Sequence, residues 1–232
     1  MNISKQIAFI TGANRGLGRH LALELLSRGA KVYAGARNPE SVDIPGAIPV
    51  KLDITNPQEV AAAAETAKDV TLLINNAGVS TGASLLDGDL DQIKLEFDTH
   101  VFGTLSMIRD FAPIIAKNGG GSILNILSVL SWVSVGGYGA YTAAKAAEWG
   151  LTNVLRLNLH PQNVRVAGLH VGPMDTDMGS GFKVPKSNPA DIAKIAIDGL
   201  ASDSLEIIAD DRSRKIQKDL AGGVSALYPQ IS

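Results

Sequence analysis

The chain is expected to fold as a doubly wound α/β domain around a parallel sheet of about seven strands. Short apolar runs alternate with longer amphipathic stretches from end to end, the order that successive βαβ units produce. The runs are nearly continuous rather than alternating, as strands covered on both faces require. A glycine-rich turn follows the first run and opens into an amphipathic stretch, a junction suited to binding an anion.

In chain order, strands are expected at residues 6–11, 31–36, 48–53, 71–75, 122–127, 164–170 and 205–209. Helices are expected at 15–28, 57–67, 90–117 (as one helix or two), 138–159 and 189–200. Asn56 before Pro57 and Asn188 before Pro189 are cap residues followed by proline at the first helical position. Gly29 stands where a helix C-terminal glycine belongs. Residues 38–47 hold two prolines and little periodicity, so the helix usual at that place is expected to be missing or very short.

At 232 residues, with no linker or repeat, the chain is expected to form one domain over 1–232. A net charge of −2 without like-charge runs argues against nucleic acid and against an acidic membrane surface. The absence of cysteine excludes disulfides and thiolate metal sites and points to a cytoplasmic location. The first apolar run, residues 7–11, is too short for a signal peptide or a membrane span.

Three groups of residues carry candidate chemistry. Tyr141 and Lys145 lie at i and i+4 and so share one face of the expected helix. A free phenol titrates near 10, and a fixed neighbouring cation favours the phenolate and draws that value toward neutrality. Ser128, thirteen residues upstream of Tyr141, is placed to hold a substrate oxygen against the phenol.

The turn Gly12-Ala13-Asn14-Arg15-Gly16-Leu17-Gly18 lets a pyrophosphate approach backbone N–H groups at a helix N-terminus. After the second strand, where an acid would hold an NAD ribose, the chain has Ala36 and Arg37. Arg37 with Arg15 suits a 2′-phosphate, which predicts NADP(H) in preference to NAD(H).

These motifs together resemble the short-chain dehydrogenase/reductase family over nearly the whole chain. Asn76-Ala77-Gly78 is similar to that family's structural and cofactor-contacting turn, and Asp53 to its adenine-contacting acid. Ser128, Tyr141 and Lys145 match its catalytic residues in identity and spacing. The resemblance implies a Rossmann-type fold and reversible reduction of a ketone or aldehyde. Tyr141 would act as general acid or base, Ser128 would orient the carbonyl, and Lys145 would bind the nicotinamide ribose and lower the Tyr141 pKa. Homodimers or homotetramers are implied by the same resemblance.

Two departures stand out. His100 replaces the Asn that in the family holds a relay water, and it is expected either to substitute in that relay or merely to pack. After the sixth strand the family's Pro-Gly is replaced by Val171-Gly172-Pro173, with Gly172 and Thr176 keeping their places beside the nicotinamide. Asp175 and Asp177 are expected to serve a turn or a cap. Ser128, Leu130, Trp132, Tyr138, Met174 and Met178 are expected to line a largely apolar pocket without a placed arginine or lysine. That favours a small uncharged carbonyl or alcohol substrate. The alternatives are a catalytically silent NADP-binding sensor and a nucleotide-sugar epimerase or dehydratase; the latter usually carries a longer C-terminal substrate region.

Overall fold

The computed structural model describes residues 1–231. Seven parallel strands form one sheet: β1 (Ile7–Thr11), β2 (Lys31–Ala36), β3 (Ile48–Lys51), β4 (Leu72–Asn75), β5 (Gly121–Ile126), β6 (Val164–His170) and β7 (Glu206–Ile208). Their spatial order is β3-β2-β1-β4-β5-β6-β7. The winding reverses between β1 and β4, so the crevice beyond their carboxyl ends is where this topology receives a ligand.

Helices α1 (Gly16–Ser27) and α6 (Pro189–Ala201) cover one face, and α2 (Pro57–Thr66), α4 (Thr104–Lys117) and α5 (Gly139–Leu159) cover the other. Each face buries its own apolar cluster. One is centred on Ile10, Leu21, Leu25 and Ile197, the other on Phe9, Leu73, Phe111 and Ile123. Each such side chain contributes roughly 1.5–3 kcal/mol on leaving water.

Local signals set the boundaries. Asn56 and Asn188 accept hydrogen bonds from the first-turn N–H groups of α2 and α6, with proline at the first helical position in both. α1 stops at Gly29, whose φ of 84° only glycine adopts freely. The Gly29 and Ala30 N–H groups then close back on Leu26 and Leu25 carbonyls at 3.0 Å each. Residues Pro39–Ser41 form a single 3-10 turn in place of a helix between β2 and β3.

The stretch expected as one or two helices is three pieces: α3 (Leu90–Phe97), a π-helical segment Asp98–Gly103, and α4. A π insertion shifts the following side chains around the axis. It carries the buried His100. After β7 the chain continues as α7 (Asp211–Asp219) and α8 (Gly223–Leu227), which fold back across the turn after β5.

Candidate active site

The glycine loop is built tightly from within. Thr11 Oγ1 accepts hydrogen bonds from the N–H groups of both Asn76 and Ala77 at 2.9 Å. Asn76 Nδ2 donates to the carbonyls of Thr11 and Gly12 at 2.9 and 3.1 Å. A Cβ on Gly18 would collide with the Gly12 carbonyl and the Asn76 side chain, so only glycine lets α1 start this close to the loop. Asn76 is therefore a buttress of the loop.

The residues present fit a dinucleotide. α2, α3, α6 and α7 begin with side-chain caps from Asn56, Asp89, Asn188 and Asp210. α1 begins at Arg15 without one, as α4, α5 and α8 also do, but it alone follows the glycine loop, where its first-turn N–H groups can meet a pyrophosphate. Asn14 bonds Ser41 at 3.0 Å, and the Asp53 carboxylate accepts from Thr55 N–H and Oγ1 at 2.9 and 2.7 Å. Arg37 is exposed and has no ion-pair partner among the described residues.

Arg15, expected with Arg37 at a ribose 2′-phosphate, makes an exposed ion pair in this structure. Its guanidinium reaches Asp177 at 2.9 Å rather than standing free beside Arg37. Both side chains are largely exposed, so the pair is weak and a phosphate can displace it. Asp177 also opens the 3-10 turn Asp177–Gly179, as expected of a turn residue, and its carbonyl accepts from Ser180 N–H and Oγ at 3.2 and 2.7 Å. Thr176 faces Gly16 across the same groove.

Ser128 lies two residues past β5 and caps a 3-10 turn, Val129–Ser131. Its hydroxyl accepts from Leu130 N–H at 3.1 Å, while Ser131 Oγ accepts from Ser128 N–H at 3.2 Å. Tyr141 and Lys145 stand in the first two turns of α5. Ser128 lies beside the Tyr141 phenol and favours its ionised form, and the Lys145 ammonium lies 5.9 Å from the Tyr141 ring centroid. The three expected catalytic residues are thus brought together.

Their electrostatics differ from the expectation. Burial pushes the Tyr141 phenol above its ordinary value, and the Glu148 and Glu96 carboxylates push it further. Lys145 and the nearby Ser128 offset only part of that rise. The reason lies beside the lysine: Lys145 Nζ donates to Glu148 at 2.6 Å and to the Ile126 carbonyl at 2.8 Å. Burial would lower the Lys145 ammonium, but Glu148 more than offsets it and holds the ammonium above the usual lysine range.

His100 packs edge-on to Tyr141, with ring centroids 5.2 Å apart. Its Nε2 lies 2.8 Å from the Val79 carbonyl. A Cβ on Gly78 would stand 2.7 Å from the His100 ring, which is why that turn residue has no side chain. Sequence reasoning found His100 but missed Glu96 and Glu148. An acid three residues beyond Lys145, on the apolar face shared with Tyr141, was the available signal.

The pocket residues divide. Leu130 packs with Tyr138 and Tyr141, and Tyr138 stacks on Phe182 at 5.0 Å. Met178 is exposed, and Met174 bridges to Ser187 across the short segment between them. Trp132, expected in the pocket, is instead core. It stacks on the buried His170 at 3.6 Å because that ring and Trp149 form an aromatic slot beneath Ser128.

The tail also enters the site. Asp210 accepts from Gly172 N–H at 2.5 Å, so this backbone donor is already occupied. Ile216, Leu227 and Tyr228 cover the turn after Ser128, and Tyr228 accepts from Ser134 N–H at 2.8 Å. Arg212 lies against Gly172, an arginine at a margin where the sequence led us to expect none. Among the described residues no cluster of ligands suits a metal ion, and no helix is long and apolar enough to cross a membrane.

Comparison with known proteins agrees with this geometry. The family model for short chain dehydrogenase matches residues 6–185. A short chain dehydrogenase from Burkholderia cenocepacia, solved in complex with NADP, is 38% identical with a TM-score of 0.95, covering 100% of this chain and 99% of that one. A trans-4-hydroxycyclohexanecarboxylate dehydrogenase from Sinomonas cyclohexanicum is 30% identical over 91% of this chain and 88% of its own. A short-chain type dehydrogenase/reductase from Picea abies is 33% identical over 75% of this chain and 72% of its own.

Proposed function

The chain belongs to the short-chain dehydrogenase/reductase family, and from that premise we propose that it is an NADP(H)-dependent enzyme reducing a small ketone or aldehyde reversibly to the alcohol. The observation that carries this reading is the convergence of Ser128, Tyr141 and Lys145 at one site, with the Lys145 ammonium 5.9 Å from the phenol ring and Ser128 favouring its ionised form. When bound, the reduced nicotinamide supplies the hydride.

The chain's own residues supply the rest. The loop at Gly12, Asn14, Gly16, Leu17 and Gly18 would take the pyrophosphate on the open start of α1. Asp53, Asn76, Ala77 and Gly78 would flank the adenosine and its ribose, and Gly172 and Thr176 the nicotinamide. Ser128 holds the carbonyl oxygen against Tyr141, which gives it a proton at the phenol oxygen. Because burial keeps that phenol protonated through neutral pH, Tyr141 is poised as an acid for reduction. In alcohol oxidation the same group must first lose its proton, so that direction is expected to accelerate as pH rises.

Arg37 supports NADP over NAD, since an unpaired guanidinium replaces the usual ribose-binding acid. Leu130, Tyr138, Phe182 and Met174 favour an apolar, uncharged substrate. A second copy of the chain is proposed to cover α5, where Val154 and Leu157 are 57% and 77% exposed. Light scattering that shows only monomer would remove that assembly.

The deciding assay follows NADPH and NADH oxidation against a panel of ketones and aldehydes. NADPH-dependent turnover of uncharged carbonyls is the expected outcome. Equal efficiency with NADH would remove the cofactor preference, and faster turnover of keto acids would transfer recognition to Arg212. Binding of NADPH with no oxidation by any carbonyl would identify a cofactor sensor instead.

A further inference from the structure

The His170 imidazole is fully buried beneath Ser128, and the reaction above gives it no task. Trp132 lies flat on one face of the ring, with centroids 3.6 Å apart, and Trp149 stands edge-on at 6.5 Å. Neither indole N–H has a hydrogen-bond partner, so the tryptophans hold the ring by packing alone. Its rotation is set by polar contacts. Nε2 lies 2.6 Å from Glu206 Oε1, and Nδ1 lies 3.2 Å from the Ser128 carbonyl. A carboxylate and a carbonyl only accept, so both ring nitrogens are donors.

The Ser128 backbone is clamped around that contact. The Leu127 and Val129 N–H groups bond the Leu169 and Val171 carbonyls at 2.8 and 2.9 Å, on either side of His170. Between them, the Ser128 carbonyl accepts from Ser131 N–H at 2.9 Å and from His170 Nδ1. The peptides that follow carry the Leu130 N–H, which holds Ser128 Oγ at 3.1 Å. A carbonyl kept in place therefore keeps the hydroxyl in place, with its proton left for a substrate oxygen.

The far side of the ring is braced from the helix that bears the other two residues. Arg156 Nη1 meets Glu206 Oε2 at 2.8 Å, while Nε and Nη2 donate to the Val166 and Leu205 carbonyls at 3.1 and 2.6 Å. Arg156 lies on α5, which begins with Tyr141 and Lys145. One run of hydrogen bonds thus joins α5 to the Ser128 turn through β7 and β6.

We propose that His170 is a positioning residue for the reaction: its Nδ1–H, braced by Glu206 and Arg156, fixes the Ser128 carbonyl and so aims the Ser128 hydroxyl at the substrate oxygen. This role rests on Ser128 orienting the carbonyl, as in the reaction above. His170 itself transfers no proton and acts through Ser128 alone.

Two amide variants of the full chain separate the two contacts. The short amide of His170→Asn puts an N–H near the place of Nδ1, within reach of Ser128 but not of Glu206. The longer His170→Gln does the reverse. With NADPH and a reducible ketone, His170→Gln is expected to lower kcat about tenfold, with KM and NADPH affinity close to the parent's. His170→Asn should stay within about threefold of the parent kcat, although it gives up the Glu206 contact and is the less stable of the two. In a Ser128→Ala background, His170→Gln should cost nothing further.

A merely structural role makes kcat follow stability, so a kcat higher in His170→Gln than in His170→Asn overturns the proposal. The same tenfold loss repeated on top of Ser128→Ala also overturns it. A readout free of turnover comes from cofactor-free protein carrying 15N-labelled histidine. His170 should show a slowly exchanging Nδ1–H signal, identified by its loss in His170→Asn, and a bare Nδ1 overturns the proposal even if a variant fails to fold. Failure of the underlying reading is seen separately, as parent-like turnover in Ser128→Ala with the Nδ1–H signal intact.

Discussion

Two buried histidines flank the Ser128–Tyr141–Lys145 set, one on each side, and their surroundings differ in how completely they are satisfied. His170, at the end of β6, places Nε2 at 2.6 Å from Glu206 and Nδ1 at 3.2 Å from the Ser128 carbonyl. Arg156 completes that chain at 2.8 Å from Glu206, and the ring lies flat on Trp132. His100 satisfies one nitrogen only, and its neighbour Glu96 leaves Oε2 without a hydrogen bond. A closed network fixes geometry, because every atom has one favourable place. An open one in a dry site keeps a proton acceptor in reserve. The first supports Ser128 from below; the second faces the residues that move protons.

Removing the cation between these regions should have the largest effect. Lys145→Met leaves Glu148 and Glu96 buried without a compensating ammonium, and the loss of a partner from a buried pair costs roughly 3–5 kcal/mol. Urea unfolding is expected to show a loss of that order together with loss of turnover. A stability close to the parent's would mean that water already screens the site.

Next in size is the contrast between the histidines themselves. His170→Leu strips a donor from the Ser128 carbonyl and a partner from Glu206, a loss of about 1–3 kcal/mol. His100→Asn forfeits less, about 1 kcal/mol, because only Nε2 has a hydrogen bond to lose, at 2.8 Å to the Val79 carbonyl, while Nδ1 has none. Thermal unfolding of the two variants separates them. Equal destabilisation would erase the distinction between closed and open networks.

A smaller effect is expected from pH. Burial would raise Glu206, but His170 and Arg156 more than offset it and hold its carboxyl below the ordinary value. A lowered folded value contributes stability that is present above the ordinary carboxylate pKa of about 4.3. That stability is lost as pH falls through the lower folded value. In Glu206→Gln the acid limb of a stability–pH curve should be flatter than in the parent. An unchanged limb would show that Glu206 is solvated in the folded state.

What could be read from the sequence was what is local. Lys31–Ala36 and Val164–His170 stand as strands at the expected residues, since continuous apolar runs leave little choice of register. The Tyr141–Lys145 pair needed only helical spacing. The π-helical segment at Asp98–Gly103 is invisible to a 3.6-residue period, and with it the inward placement of His100 against Glu96. Trp132 read as a pocket wall because its partners, His170 and Trp149, lie far along the chain. The tail after β7 was equally opaque: Asp210 and Tyr228 find Gly172 and Ser134 only in three dimensions. Arg15 was assigned by motif, whereas its nearest anion, Asp177, is 162 positions away.

The central claim is that the Tyr141 hydroxyl gives the proton that completes hydride transfer. Its most direct test is the rate of ketone-dependent NADPH oxidation in parent and Tyr141→Phe at neutral pH, with NADPH binding measured alongside. Removing the phenol oxygen should lower kcat by about 10²–10⁴, the usual contribution of a positioned general acid, with binding retained. Turnover within a few-fold of the parent would contradict the account.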